Sequence, residues 1–119
     1  MVGQQHHVTI SQTKVMLFKM IKNTEKKIEN QCKNILLKHG IYHFKNHGSA
    51  FTEPGRPDII ACITGKFYAF EIKKPGGIIS KVQEFTKKKI EKSGGFYHFI
   101  DDPEDLKNII IKELTKKDD

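Results

Sequence analysis

The chain has 119 residues, which fits a single domain, and its apolar fraction of 37% excludes a disordered composition. The formal net charge is +7, and twenty of the 21 basic residues are lysine, a balance that favours a polyanionic partner. No apolar run approaches the roughly 20 residues of a membrane span, and the first residues lack a signal-peptide pattern. We therefore expect an intracellular, cytoplasmic protein with no membrane partner.

The two cysteines, Cys32 and Cys62, lie in separate apolar runs. Two isolated cysteines do not make a disulfide framework. We predict that both are buried thiols in a reducing compartment.

The first predicted element is a helix over residues 25–39, where apolar residues recur at spacings of three and four. Gly40 ends it. Asn23 and Thr24 are expected to break the chain before this helix, with Thr24 as its cap. Residues 1–23 would then form an N-terminal extension, itself helical in part, and residues 24–119 a single domain.

The remaining elements alternate between strand and helix patterns. We predict strands over residues 41–45, 57–63 and 66–73, a helix over 80–93, a strand over 96–100 and a last helix from 103 to about 116. Ser80 and Gln83 have the spacing of a capping box, and Asp102-Pro103 is typical of a helix start. This order predicts an α/β fold, a mixed sheet flanked by helices.

The second and third strands are joined by Thr64-Gly65, which predicts a two-residue hairpin turn. The resulting register places Asp58 opposite Glu71, with Lys73 pointing to the same side. Directly opposed carboxylates destabilise a hairpin, and a divalent cation would offset their repulsion. The alternative is that all three are solvent-exposed charges at the strand ends, and a bulged turn would break the register.

Pro57-Asp58, a gap of twelve residues and then Glu71-Ile72-Lys73 resembles the signature of the PD-(D/E)XK nucleases. The surrounding segments at 55–60, 70–73, 80–83 and 94–95 resemble the VRR-NUC branch of that superfamily, whose skeleton Holliday-junction resolvases share. The resemblance covers residues 24–100. It implies a restriction-endonuclease-like α-β-β-β-α-β core.

The resemblance also implies a metal site. Asp58, Glu71 and the backbone carbonyl of Ile72 would bind Mg²⁺, with Mn²⁺ able to replace it. Lys73 would orient or deprotonate the attacking water, or steady the developing charge, and the cut would leave 5′-phosphate ends. The residues implied in DNA contact are Arg56, Lys74, Ser80 and Lys81.

Two further site residues follow from the same resemblance. The family has an acidic residue on its first helix, and Glu25 lies closer to the apolar stripe of that helix than Glu29. We predict Glu25 as the site acid and Glu29 as a surface residue, although Glu25 could instead complement the positive helix N-terminus. Gln83 matches a family glutamine, and its alternative role is the capping box with Ser80.

The expected function is that of a metal-dependent, structure-selective DNA endonuclease. Resemblance to junction resolvases implies a homodimer acting on four-way (Holliday) junctions, because two opposed cuts require two active sites. The single arginine, Arg56, leaves little capacity for bidentate base reading. The alternatives are a flap or fork nuclease, and a non-catalytic DNA-binding module on a nuclease fold.

Overall fold

The computed structural model describes residues 9–48 and 53–116. Within these ranges three helices and four strands alternate in the predicted order. The elements are α1 (Ile10–Lys38), β1 (His43–Lys45), β2 (Ile59–Ile63), β3 (Lys66–Ile72), α2 (Lys81–Lys92), β4 (Phe96–Ile100) and α3 (Pro103–Leu114). The predicted α/β fold class is confirmed.

Helix α1 is longer than predicted and continuous. It starts at Thr9, whose hydroxyl oxygen accepts a hydrogen bond from the Gln12 backbone N–H at 3.1 Å, and it runs to Lys38. Asn23 and Thr24 lie inside the helix, so the predicted break and the predicted cap at Thr24 are wrong. Polar residues such as these cost only a few tenths of a kcal/mol in a helix interior, far less than proline. The helical part of the predicted extension therefore continues directly into the first core helix.

The sheet has the strand order β1-β2-β3-β4. The first two pairings are antiparallel, and β3 pairs in parallel with β4 after the crossover through α2. Ile63 pairs with Lys66 and Ile59 with Phe70, which is the predicted hairpin register. Thr64 and Gly65 both have positive φ, 51° and 79°, as a tight hairpin turn of matching twist requires.

One face of the sheet carries the core, packed against α1 and α3. Alternate residues of β2 and β3 point into it. The buried side chains include Ile28, Cys32 and Leu36 of α1, Ile59, Ala61 and Ile63 of β2, Tyr68, Phe70 and Ile72 of β3, and Leu106 and Ile110 of α3. None of the helices in the described ranges is long and apolar enough to cross a membrane.

The two cysteines differ in their surroundings. Cys32 is buried in the core, and this burial raises the pKa of its thiol to about 12. Cys62 is exposed, so the prediction that it is buried is wrong. Its neighbours Ala61 and Ile63 face the core, and the strand period of two directs Cys62 to the opposite face.

Helix α2 lies across that opposite face of the sheet. Gly95, at the start of β4, is so close to the helix that an added Cβ would lie 2.9 Å from Ile90. Gly55, with φ of +81°, likewise brings the loop before β2 against Val82 of α2. The loop that leads to Asp58 is thereby fixed to the start of α2.

Candidate active site

Asp58 and Glu71 meet where β2 begins and β3 ends. Glu71 is 7% exposed, and Asp58 directly precedes Ile59, the first residue of β2. The Asp58 Oδ2 accepts a hydrogen bond of 2.7 Å from the backbone N–H of Ile72. The two carboxyl groups are close enough to share a hydrogen bond when one is protonated. The structure thus brings together the pair that the hairpin register predicted.

Asn46 fixes the backbone at this point, a role that the sequence analysis missed. Its backbone N–H donates to the Asp58 carbonyl oxygen and its Nδ2 donates to the Pro57 carbonyl oxygen, both at 2.8 Å. These two bonds extend the β1–β2 pairing by one residue beyond Lys45 and Ile59. The only signal in the sequence is an asparagine directly after a predicted strand.

The carboxylate pair is electrostatically unfavourable without a cation. Burial, and next the negative charge of Asp58, raises the pKa of Glu71 to about 8, and the Lys73 ammonium only partly opposes this. Burial also raises the pKa of Asp58, against the stabilising hydrogen bond from the Ile72 backbone. The pair therefore retains a proton near neutral pH, which a bound cation would displace.

The carboxylate oxygens of Asp58 and Glu71 fit a divalent cation. Glu71 Oε2 is buried and has no hydrogen-bond donor within residues 9–48 and 53–116. The same ranges contain no group of three or more His, Cys, Asp or Glu side chains gathered as a metal cluster. Carboxylates are hard oxygen ligands of the kind that Mg²⁺ takes together with waters and the phosphate oxygens of its substrate.

Gln83 has both of the roles that the sequence left open. Its Nε2 donates to Glu71 Oε1 at 3.0 Å, and its Oε1 accepts from the Ser80 backbone N–H at 3.0 Å. The Ser80 hydroxyl in turn accepts from the Gln83 backbone N–H at 3.1 Å. One side chain therefore completes the capping box of α2 and holds one oxygen of Glu71.

Of the two acids of α1, Glu29 is placed differently from the prediction. Glu25 is half-buried, and its Oε1 accepts from the Lys74 backbone N–H at 3.4 Å, beside the end of β3. Glu29 is 5% exposed, so its prediction as a surface residue is wrong. The Glu29 carboxylate pairs with Lys45 at 2.7 Å and with Lys33 at 3.3 Å. Burial alone would raise the pKa of Glu29, but these lysines outweigh it and lower the pKa.

The predicted DNA-contact residues and Lys73 lie on the segments that flank the carboxylate pair in the chain. Lys73 is half-buried and its charge acts on Glu71, while Arg56 is exposed in the loop before Asp58. Lys81 is the exposed first residue of α2, next to the Gly55–Val82 contact that joins this loop to the helix. Lys74 and Ser80 lie on either side of the connection between β3 and α2. We call the four cations of these segments, Arg56, Lys73, Lys74 and Lys81, the cationic rim.

Tyr97 is a further residue beside the acids that the sequence analysis missed. It lies on β4 opposite Ala69, on the sheet face of Glu71, and is 2% exposed. Its hydroxyl has no hydrogen-bond partner in the described part of the chain. Burial, with the nearby charges of Glu71 and Asp58, raises its pKa. An aromatic residue in a predicted strand gave no sign of this position.

The sequence matches no protein-family model and no curated protein. A solved structure described as a VRR_NUC domain is similar to the chain, with a TM-score of 0.64 at 16% sequence identity. The similarity spans 74% of this chain and 95% of that structure. The chain therefore has the fold of a VRR_NUC domain, which confirms the fold that the resemblance implied.

Proposed function

We propose that the protein is a metal-dependent nuclease that hydrolyses phosphodiester bonds in branched DNA. The observation that carries this proposal is the contact between the half-buried Asp58 and the buried Glu71, with one Glu71 oxygen left without a donor among the described residues. Burying two repelling carboxylates is costly unless a cation neutralises them. A merely structural pair would be expected to have a neutralising side chain in contact.

Asp58, Glu71 and the Ile72 carbonyl would hold Mg²⁺, or Mn²⁺ in its place. Such an ion, when bound, lowers the pKa of a coordinated water and stabilises negative charge on a phosphate. Lys73, on the same side of β3 as Glu71, would orient the attacking water or accept its proton. The hydroxyl of that water joins the phosphorus, the bond to the 3′ oxygen breaks, and the leaving oxygen takes a proton, giving a 5′-phosphate and a 3′-hydroxyl.

DNA is the proposed polyanion because the charge of the chain suits sequence-independent phosphate contact. The net charge is +7, and the cations are almost all lysine. Arg56, Lys74 and Lys81 lie on the segments that flank the acids in the chain, and α2 adds the exposed Lys88, Lys89 and Lys92. The name of the similar structure, a nuclease domain, agrees with this choice.

We further propose a homodimer that cuts four-way junctions as the first substrate to test. Two cuts on opposite strands of a near-symmetric junction require two active sites, which a two-fold dimer supplies. Flaps and forks, which require only one cut, are the second substrate class to compare.

The test is cleavage of labelled four-way junction, flap, fork and linear duplex DNA with Mg²⁺, with Mn²⁺ and with EDTA. Asp58→Ala and Lys73→Ala should abolish cleavage but retain DNA binding. Lys107→Ala, an exposed lysine on α3, is the matched control and should cut normally. Binding without cleavage under every metal would reject the enzyme and leave a DNA-binding module on a nuclease fold.

A further inference from the structure

The sheet face that carries Asp58 and Glu71 also carries exposed aromatic side chains. Phe44 of β1 pairs with Ile60, so both point to the face opposite the core. Tyr42 lies across from Cys62, whose backbone N–H donates to the Tyr42 carbonyl oxygen at 3.0 Å. Phe67 pairs with Cys62 from the other side. Tyr42, Phe44 and Phe67 therefore belong to one surface, which we call the aromatic face.

The aromatic face is open to solvent, although aromatic side chains are commonly buried. Tyr42 is 74% exposed, Phe44 46% and Phe67 48%. In the described part of the chain, helix α2 packs mainly on β4 and not on β1 or β2. Among the described residues, Tyr42 and Phe44 contact each other edge to face at 6.4 Å and Phe67 lies beside Gly95, and these contacts leave about half or more of each ring residue exposed.

A cleft of about 460 Å³ connects this face to the cationic rim. Ile60 and Phe67 form its floor, Lys89 and Ile90 of α2 form one wall, and Arg56 lies on the other. Aromatic and apolar surface beside cations is the combination that single-stranded nucleic acid uses, since bases stack on rings while phosphates pair with lysine and arginine. Arg56 is exposed, and Lys89 forms an ion pair of 2.9 Å with Glu53 that a phosphate would replace. A protein interface would not require the cations.

We propose that the aromatic face and its cleft bind an unpaired DNA strand that leads into the carboxylate site. This inference rests on the proposed nuclease function and specifies its substrate. Bases would stack on Tyr42, Phe44 and Phe67. Arg56 would contact the phosphates, and Lys89 would exchange its partner Glu53 for a phosphate. Stacking of this kind is tolerant of sequence, because every base has an aromatic face.

The strand register places this surface next to the acids. Asp58 precedes Ile60 by two residues, a rise of about 7 Å along an extended strand. Ile60 is the partner of Phe44, so the first ring lies one cross-strand row from the carboxylates and Phe67 lies in the row beyond. An extended single strand advances by a similar distance per nucleotide. The scissile phosphate would therefore lie within one or two nucleotides of the stacked bases.

The substrate class follows from this placement. DNA with an unpaired arm beside the cut, as in a flap or fork, would use both the aromatic face and the acids. A fully paired four-way junction or a blunt duplex would use only the acids and the cationic rim. The inference therefore favours the flap or fork among the proposed substrates.

The first test is binding of two fluorescent DNA molecules by the full chain in EDTA, which prevents cleavage. One is a blunt duplex and the other is the same duplex with a single-stranded thymidine arm. Tyr42→Ala and Phe44→Ala should each weaken binding of the armed duplex by about fivefold or more, the loss expected for one stacked base. Neither substitution should change the affinity for the blunt duplex, and Tyr42→Phe should bind the armed duplex with the wild-type affinity.

Leu37→Ala is the matched control, because Leu37 is an exposed apolar residue on α1, in the layer on the other side of the sheet. It should leave both DNA affinities unchanged. A second readout is photocrosslinking from bromodeoxyuridine in the single-stranded arm, which should label Tyr42, Phe44 or Phe67. Circular dichroism of each variant confirms folding.

Two results would overturn the inference. One is equal affinity of wild type and both alanine variants for the armed duplex. The other is a change from dimer to monomer in Tyr42→Ala by sedimentation with DNA binding unchanged, which would assign the face to a second copy of the chain. If metal-dependent cleavage persists after either of these results, the nuclease proposal stands and only the role of the aromatic face is rejected. If the armed duplex binds through the aromatic face but is not cleaved with any metal, the binding proposal stands and the nuclease proposal is rejected.

Discussion

Gln83 links the N-terminus of α2 directly to Glu71. Its amide nitrogen donates to Glu71 Oε1 while its amide oxygen accepts from the Ser80 backbone, both at 3.0 Å. The two bonds use opposite ends of one planar group, so the position of the helix and the orientation of the carboxylate depend on each other. Groups that orient a metal ligand in this manner affect metal affinity strongly.

Gln83→Ala should therefore lower both stability and metal-dependent cleavage. We expect a loss of about 1 kcal/mol from the helix cap and a drop of roughly 10- to 100-fold in apparent Mg²⁺ affinity. Urea denaturation in EDTA measures the first quantity, and cleavage titrated with Mg²⁺ measures the second. Asp102→Ala, which removes the cap of α3, is the control for stability alone. Equal loss of cleavage in both variants would show that the effect comes from folding.

Glu71→Gln should stabilise the protein in EDTA. The pKa of Glu71 is raised to about 8 by burial and by Asp58, so above that pH the folded chain holds two ionised carboxylates in contact, one buried and one half-buried. Removing one charge should raise Tm by about 4 °C or more at pH 9, the shift expected for about 1 kcal/mol in a domain of this size. Thermal denaturation followed by circular dichroism measures the difference.

With Mg²⁺ the wild type should have a higher Tm than Glu71→Gln, the reverse of the order expected in EDTA. A ligand that binds only the folded state raises its stability, so Mg²⁺ should raise Tm of the wild type and leave Glu71→Gln unchanged. A wild type that is insensitive to Mg²⁺ at millimolar concentration would argue against a metal site at Asp58 and Glu71.

Glu113 gives the fold an acid-sensitive contact far from the carboxylate pair. Its carboxylate accepts hydrogen bonds from Thr64 at 2.8 Å and Tyr68 at 2.9 Å and pairs with Lys66, so it ties α3 to the β2–β3 turn. The bond from Lys66, followed by that from Thr64, lowers the pKa of Glu113 to about 2. In the unfolded chain a glutamate titrates near 4.3.

The contribution of Glu113 to stability should therefore be complete above about pH 4.5 and disappear as the pH falls toward 2. Glu113→Gln should be less stable than wild type at pH 7, with the difference shrinking at pH 3. Guanidinium denaturation at the two pH values measures this. If the stability difference between wild type and Glu113→Gln is the same at pH 7 and pH 3, the contribution of Glu113 comes from packing and not from its charge.

Elements with local signals were predicted from the sequence. The Thr64-Gly65 turn fixes the register of the hairpin, and the Ser80–Gln83 box fixes the start of α2, because turn and cap chemistry act over two to four residues. The position of Asp58 opposite Glu71 follows from the same register. This part of the site was predictable because neighbouring strands place it.

Long-range contacts were not predictable in the same way. The pairing of Glu29 with Lys45 depends on how α1 lies across β1, and a helical wheel contains no information on that neighbour. The bonds of Asn46 to Pro57 and the approach of Tyr97 to the acids join segments far apart in the chain. The exposure of Cys62 was not predictable either, because it depends on which face of β2 packs into the core.

Tyr97→Phe tests whether the buried hydroxyl serves the site. Because this hydroxyl has no partner among the described residues, its removal should leave stability in EDTA unchanged or raise it by about 1 kcal/mol. If the hydroxyl bonds to a ligand of the metal, apparent Mg²⁺ affinity in the cleavage assay should fall about 10-fold. Tyr68→Phe, which removes a hydroxyl bonded to Glu113, should show the opposite pattern of lost stability and retained metal affinity.

Glu25→Gln and Glu29→Gln separate a site acid from a structural acid. Glu25 contacts the Lys74 backbone beside the end of β3 at the long distance of 3.4 Å, so its substitution should cost little stability. If Glu25 assists the metal or its water, the same substitution should lower cleavage at least about 10-fold. Glu29 is buried and holds Lys45, Lys33 and Lys26. Its neutralisation leaves these lysines unpaired and should cost about 1–3 kcal/mol.

Urea denaturation and cleavage under saturating Mg²⁺ should be measured on both variants. At a temperature where each is fully folded, Glu29→Gln should cut at nearly the wild-type rate and Glu25→Gln should not. The reverse result would assign the role of helix acid to Glu29. Burial raises the pKa of Asp58 most, and the negative charge of Glu29 raises it further. In that case the lysines around Glu29 would be part of the site, since they set its charge.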